Sequence, residues 1–140
     1  MSTYGFICLG LIGGSVARAI REKQPEATII AYNRSSASLD EALSDGVINR
    51  AVCQKDFEND GFSAFSYCDY IFLCAPVQKN EEFLAMLKPI IKASCIITDF
   101  CHCTDNLICL HFVYKHNGKR CKKKTDKNNK KGYSGYNLKG

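Results

Sequence analysis

A short apolar run that stops at a glycine turn and restarts as a helix limits this 140-residue chain more than any other feature in it. Residues 4–9, Tyr-Gly-Phe-Ile-Cys-Leu, show no alternation of polar and apolar side chains, the pattern of a strand covered on both faces. Gly10 ends the run. From Gly13 the period becomes helical: Val16, Ala17 and Ile20 share one face, while Arg18, Arg21, Glu22 and Lys23 fill the other. Gln24-Pro25 closes the helix, because the residue before a proline resists the helical region. A buried strand feeding a helix in this way is the first half of a βαβ unit and needs a parallel strand beside it.

The rest of the first hundred residues supplies such strands. Ala27-Thr28-Ile29-Ile30-Ala31-Tyr32 is the second β-rich run, followed by a turn at Asn33-Arg34-Ser35-Ser36. Leu39, Ala42 and Leu43 stripe a short helix that stops at Ser44-Asp45-Gly46. A brief strand is expected near residues 49–52, and residues 55–67 carry too weak a pattern to assign. Tyr70-Ile71-Phe72-Leu73-Cys74 is the clearest buried strand, ended by Ala75-Pro76. A helix over residues 78–88, with Phe83, Leu84 and Leu87 at core spacing, leads to a last strand at Ser94-Cys95-Ile96-Ile97-Thr98-Asp99. Buried strands alternating with amphipathic helices predict an α/β fold, a Rossmann-like doubly wound parallel sheet in the order 3-2-1-4-5.

The glycine turn carries the first functional expectation. In Cys8-Leu9-Gly10-Leu11-Ile12-Gly13 the dinucleotide fingerprint G-x-G-x-x-G falls on positions 8, 10 and 13. Gly10 lets a pyrophosphate approach the backbone, and Gly13 lets the helix pack on the strand. The amides around Leu11 and Ile12 would face the phosphates from a helix N-terminus, where the dipole favours negative charge. Cys8 departs from the pattern. If the turn needs a glycine-only conformation there, the strain is on the order of 1–3 kcal/mol and cofactor binding weakens. A glycine-rich turn with no ligand is the plainer alternative.

The end of the second strand reads the ribose. An NAD site usually places Asp or Glu there, but Tyr32-Asn33-Arg34-Ser35 contains no acid. Asn33 and Ser35 can hydrogen-bond, and Arg34 can pair with a 2′-phosphate, which favours NADP over NAD. Arg34 as a solvated loop charge is the alternative.

Three stretches together resemble the start of the prephenate dehydrogenase family: residues 5–15 with the Leu-Ile-Gly-Gly-Ser run, Ala31-Tyr32-Asn33-Arg34-Ser35, and Cys68-Asp69-Tyr70-Ile71-Phe72-Leu73-Cys74-Ala75-Pro76-Val77. Ile96-Ile97-Thr98-Asp99 also fits, so the resemblance covers about residues 4–99. It implies oxidative decarboxylation of prephenate to 4-hydroxyphenylpyruvate with NAD(P), in tyrosine biosynthesis. It also implies that Ala75, Pro76 and Val77 neighbour the cofactor, that prephenate is the substrate, and that the full-length family is homodimeric. The family pattern stops after Asp99: no glycine turn, no His-Pro pair and no helical domain follows. No catalytic role is therefore carried onto any residue here, and none of His102, His111 and His116 stands in the family's context. A stand-alone nucleotide-binding module, or another NAD(P)-dependent reductase of the same fold, remains the alternative.

Composition changes at the same point. Residues 1–100 hold nine Lys/Arg against twelve Asp/Glu, and residues 101–140 hold ten against two. Division into an NAD(P)-binding domain over residues 1–100 and an irregular, basic, disordered tail over 101–140 is expected. An out-of-frame continuation of a truncated gene accounts for both the lost pattern and the jump in charge. Zinc binding by Cys101, His102, Cys103, Cys109, His111, His116 and Cys121 is the weaker reading, because the spacings match no paired C-x₂₋₄-C unit. A basic patch at 119–131 lacks the aromatic residues that stack on bases, so no nucleic-acid partner is expected. Nine cysteines, an odd number, and a start, Met1-Ser2-Thr3-Tyr4, with no secretory character point to free thiols in a reducing cytoplasm. No apolar run approaches the roughly 20 residues of a membrane span. A sheet cut short after its fifth strand would expose an edge and dissolve poorly.

Overall fold

Along the first strand the side chains alternate strictly: Tyr4 and Phe6 enter one core, and Ile7 enters the other. That strand, β1 (Thr3–Ile7), is buried on both sides because helices lie on both faces of the sheet. The computed structural model describes residues 1–102 and 108–115. From β1 the chain continues through α1 (Leu11–Lys23), β2 (Thr28–Tyr32), α2 (Ala37–Ser44), β3 (Arg50–Val52), α3 (Gln54–Asp60), a 3₁₀ turn (Ser63–Phe65), β4 (Tyr70–Leu73), α4 (Val77–Leu87), β5 (Ile96–His102) and β6 (Ile108–Lys115). The sheet order is β3-β2-β1-β4-β5-β6, with β1 to β5 mutually parallel and β6 antiparallel to β5.

The five parallel strands stand in the order that the alternating pattern predicts. The stretch with too weak a pattern holds α3 and the 3₁₀ turn. Neither presents an amphipathic stripe; α3 contains no fully buried residue, and the turn buries only Phe65. The sixth strand corrects the expectation that the sheet ends at β5 and that residues 101–140 are wholly irregular. Here β5 runs on to His102, past a register shift at Asp99/Phe100, and residues 108–115 return along its edge. An unpaired strand edge is costly, and an apolar stretch a few residues downstream can satisfy it as a hairpin. The exposed edge therefore passes from β5 to β6. Residues 116–140, and the side chains of the cysteine and histidine cluster expected as a zinc alternative, lie outside the described residues. Among the described residues no helix is long and apolar enough to cross a membrane.

Two cores sandwich the sheet. Ala17 of α1 and Leu39 and Ala42 of α2 pack on Tyr4, Phe6, Ile29 and Ala31. Opposite them, Leu87 of α4, Phe62, Phe65 and Cys68 pack on Ile7, Ile30, Ile71 and Ile97. Burial pushes the thiols of Cys68 and Cys74 up to about 12 and that of Cys95 to about 11, from an ordinary value of 9.0. An unfolded chain ionises these thiols first, so their contribution is complete below about pH 9 and is lost as pH rises toward the folded values. The melting temperature should fall between about pH 9 and about pH 11. An unchanged melting temperature over that range would show that the thiols are solvated in the native state.

Candidate functional site

The glycine turn lies at the C-terminal end of β1, next to the point where chain order reverses between β1 and β4. In open α/β sheets this switch point forms a crevice. Gly10 caps α1 through extended backbone, with φ −92° and ψ −158°. The first helical amide bond runs from Gly14 N–H to Gly10 O at 2.8 Å. The amides of Leu11, Ile12 and Gly13 precede it and so have no intrahelical acceptor. A Cβ placed on Gly10 would meet nothing within 4 Å, so the space in front of the turn is open. A Cβ on Gly13 would lie 3.2 Å from Cys74 Sγ and 3.3 Å from Cys8 O, so the helix sits as close to the strands as a glycine permits. Leu11 is 90% exposed at this mouth.

Cys8 adopts φ 69°, a left-handed conformation held by bonds from its N–H and that of Leu9 to Tyr32 O, at 2.9 and 3.2 Å. The turn therefore adopts at position 8 a conformation that favours glycine, and a cysteine occupies it. Burial raises the Cys8 thiol above its ordinary value, with the Arg34 charge pulling the other way.

Beside the turn, Cys8, Tyr32, Arg34, Ala75, Pro76, Lys79 and Phe83 line a cleft of about 300 Å³. Of the residues singled out in the sequence, Arg34, Ala75 and Pro76 meet here, while Gly10 to Gly13 form the neighbouring helix mouth. Asn33 does not face the cleft. Its Nδ2 donates to Ser38 Oγ at 2.6 Å and its Oδ1 accepts from the Arg34 N–H at 3.0 Å, so the side chain shapes the loop instead. Ser35 is exposed beyond it. Val77 opens α4. The sequence reading missed Lys79 and Phe83 as cleft residues. They stand one helical turn apart on α4, a spacing that was legible, but the face they share became meaningful only once Phe83 met the Tyr32 ring, with centroids 5.9 Å apart.

The cleft has the chemistry a dinucleotide requires. It combines open space before a helix N-terminus, two cations in Arg34 and Lys79, and the aromatic walls Tyr32 and Phe83. Replacing Cys8 with Gly should remove about 1–2 kcal/mol of left-handed strain, offset in part by the freer unfolded chain. Net stability should stay within about 1 kcal/mol of the parent while dinucleotide affinity rises several-fold, because the thiol no longer narrows the entrance. Isothermal titration of the two proteins decides this; unchanged or weaker affinity in the Cys8→Gly protein would mean the thiol does not obstruct the site.

A doubly wound sheet with a glycine turn and an open cleft at its switch point defines a dinucleotide-binding domain. More narrowly, the chain belongs to the prephenate dehydrogenase family: the model of that family's nucleotide-binding domain matches residues 16–108. The cyclohexadienyl dehydrogenase of Zymomonas mobilis is 34% identical over 94 residues, 66% of this chain and 30% of that protein. Prephenate dehydrogenase from Aquifex aeolicus, solved with hydroxyphenyl propionate and NAD+, superposes with a TM-score of 0.62 at 24% identity, covering 72% of this chain and 34% of its own. Arogenate dehydrogenase from Synechocystis gives a TM-score of 0.58 at 28% identity, covering 69% and 32%. The chain thus spans about a third of the length of these relatives.

Proposed function

We propose that this chain is the coenzyme-binding portion of an NAD(P)-linked dehydrogenase acting on prephenate or a closely related cyclohexadienyl acid, and that NADP is the preferred coenzyme. The carrying observation is the position of Arg34. It lies two residues past the end of β2, in the turn where an NAD site usually carries a ribose-binding acid, and it lines the cleft beside the glycine turn. The fold, the family match and the NAD+ complex of the Aquifex relative support a nicotinamide coenzyme. When bound, the nicotinamide would accept the hydride that leaves the prephenate ring as carbon dioxide departs and the ring becomes aromatic. The described residues bind and orient; the substrate pocket and catalytic groups are assigned to the two thirds of the relatives' length that this chain does not span. On this reading the chain alone binds coenzyme without turning over prephenate, in the cytoplasm.

Thermal unfolding with each coenzyme tests the proposal. A ligand that binds only the native state at a hundredfold excess over its dissociation constant adds about 2.7 kcal/mol of stability. NADP should raise the melting temperature at lower concentration than NAD. The absence of a shift with either coenzyme up to the order of 1 mM, the limit for weak binding at about −4.1 kcal/mol, would overturn it.

A further inference from the structure

Among the described residues Asn80 is the one polar side chain that is buried, at 3% exposure. It stands in the first turns of α4, and its amide is fully engaged. Oδ1 accepts the Ala75 N–H at 3.2 Å, and Nδ2 donates to Ala75 O at 2.9 Å and to Asp99 Oδ1 at 2.6 Å. A single side chain thus bonds both backbone groups of Ala75, two residues past the end of β4, and also reaches Asp99 in the middle of β5, which pairs in register with Leu73. Ala75 has left the strand ladder, so Asn80 supplies the partners that a neighbouring strand would otherwise give.

The position of this clasp gives it a function. Ala75 and Pro76 form one wall of the cleft, and Lys79, adjacent to Asn80 in the chain, forms another part of it. Burying an alanine would need no amide at this point, and a buried polar side chain is costly unless every bond is made. We propose that Asn80 is a positioning residue for the dinucleotide: it holds the Ala75–Pro76 wall at a fixed height against β5, so the cleft is formed before the ligand arrives. The inference rests on the coenzyme-binding reading above. It also assigns Asp99 as the anchor of the clasp, a role distinct from direct contact with the ligand.

Two variants of the full 140-residue chain test the inference, with dissociation constants for NADP and NAD measured well below each variant's own melting temperature. Asn80→Ala removes the clasp and should weaken the better-bound coenzyme roughly tenfold. Asn80→Asp keeps the shape but replaces two donor bonds with a carboxylate facing that of Asp99. Its affinity should be poor near about pH 8 and recover toward about pH 5, as the carboxylate pair takes up a shared proton and regains a donor. Asn80→Ala has no such group and should show no recovery beyond that of the parent. This pH signature keeps the test decisive if Asn80→Ala fails to fold. If the parent binds and both variants match it within about twofold at every pH, Asn80 is merely structural and the inference falls while the coenzyme reading stands. If the parent binds neither coenzyme, both fall.

Discussion

Phe65→Ala is expected to cost about 3–5 kcal/mol, a large share of the roughly 5–15 kcal/mol that holds a domain of this size together. Phe65 is fully buried in the 3₁₀ turn before β4 and meets Phe62 edge-on, with ring centroids 5.6 Å apart. Its ring also occupies the space that a side chain at position 5 would fill, because a Cβ on Gly5 would come within 2.7 Å of Phe65 Cδ1. Gly5 is thus a gap in the middle of β1 that this ring closes together with Cys68 Sγ and Ile71 Cγ1, which a Cβ there would meet at 3.0 and 3.2 Å. The pair can be tested as a cycle. Gly5→Ala alone overpacks the strand, at about 1–3 kcal/mol. In the Phe65→Ala background the tightest of these contacts is gone, so the double variant should be more stable than the sum of the two losses implies. Urea unfolding of the four proteins measures this. A loss under about 1 kcal/mol for Phe65→Ala, or strictly additive losses, would show that the turn does not pack on β1 as described.

The second large effect is on coenzyme choice. Arg34→Ala should raise the dissociation constant for NADP about 10- to 100-fold while changing that for NAD by less than about threefold, as expected when a charge-assisted bond to a 2′-phosphate is removed. Lys79 lines the same cleft, but Glu82 already holds its ammonium at 2.8 Å, so the discrimination is expected to rest on Arg34. The preference for NADP should also shrink as salt rises, because both cations are exposed to solvent. Equal losses for the two coenzymes would make Arg34 a general phosphate contact and remove the case for NADP.

How far the site was legible before the fold was known can be traced residue by residue. Gly10 and Gly13 were readable because a turn between strand and helix permits few residue types, and the structure gives each the space expected of it. Cys8 was readable as an exception to the same rule, and its φ of 69° makes the exception physical. Arg34 was readable by its distance from the turn. Asn33 was readable only as a polar residue at a strand end, where an Asn serves the loop backbone and a ligand equally well; in the fold its Nδ2 donates to Ser38 Oγ at 2.6 Å. Asn80 left no trace at all: in a run of Gln78-Lys79-Asn80-Glu81-Glu82 it looks like one more solvated residue.

The alternation of strands and helices, the two-sided burial and the turn at the head of α1 were determined by local periodicity and by the few conformations a glycine-rich junction can take. These are short-range properties, and the chain carries them wherever it goes. The meeting of Arg34, Lys79 and Phe83 around one cleft, the clasp from Asn80 to Asp99, and the return of residues 108–115 along β5 were decided only by the tertiary structure. Each joins groups far apart in sequence or edges that accept any suitable strand. Nothing in local propensity distinguishes the right partner from the wrong one until the sheet has brought them together.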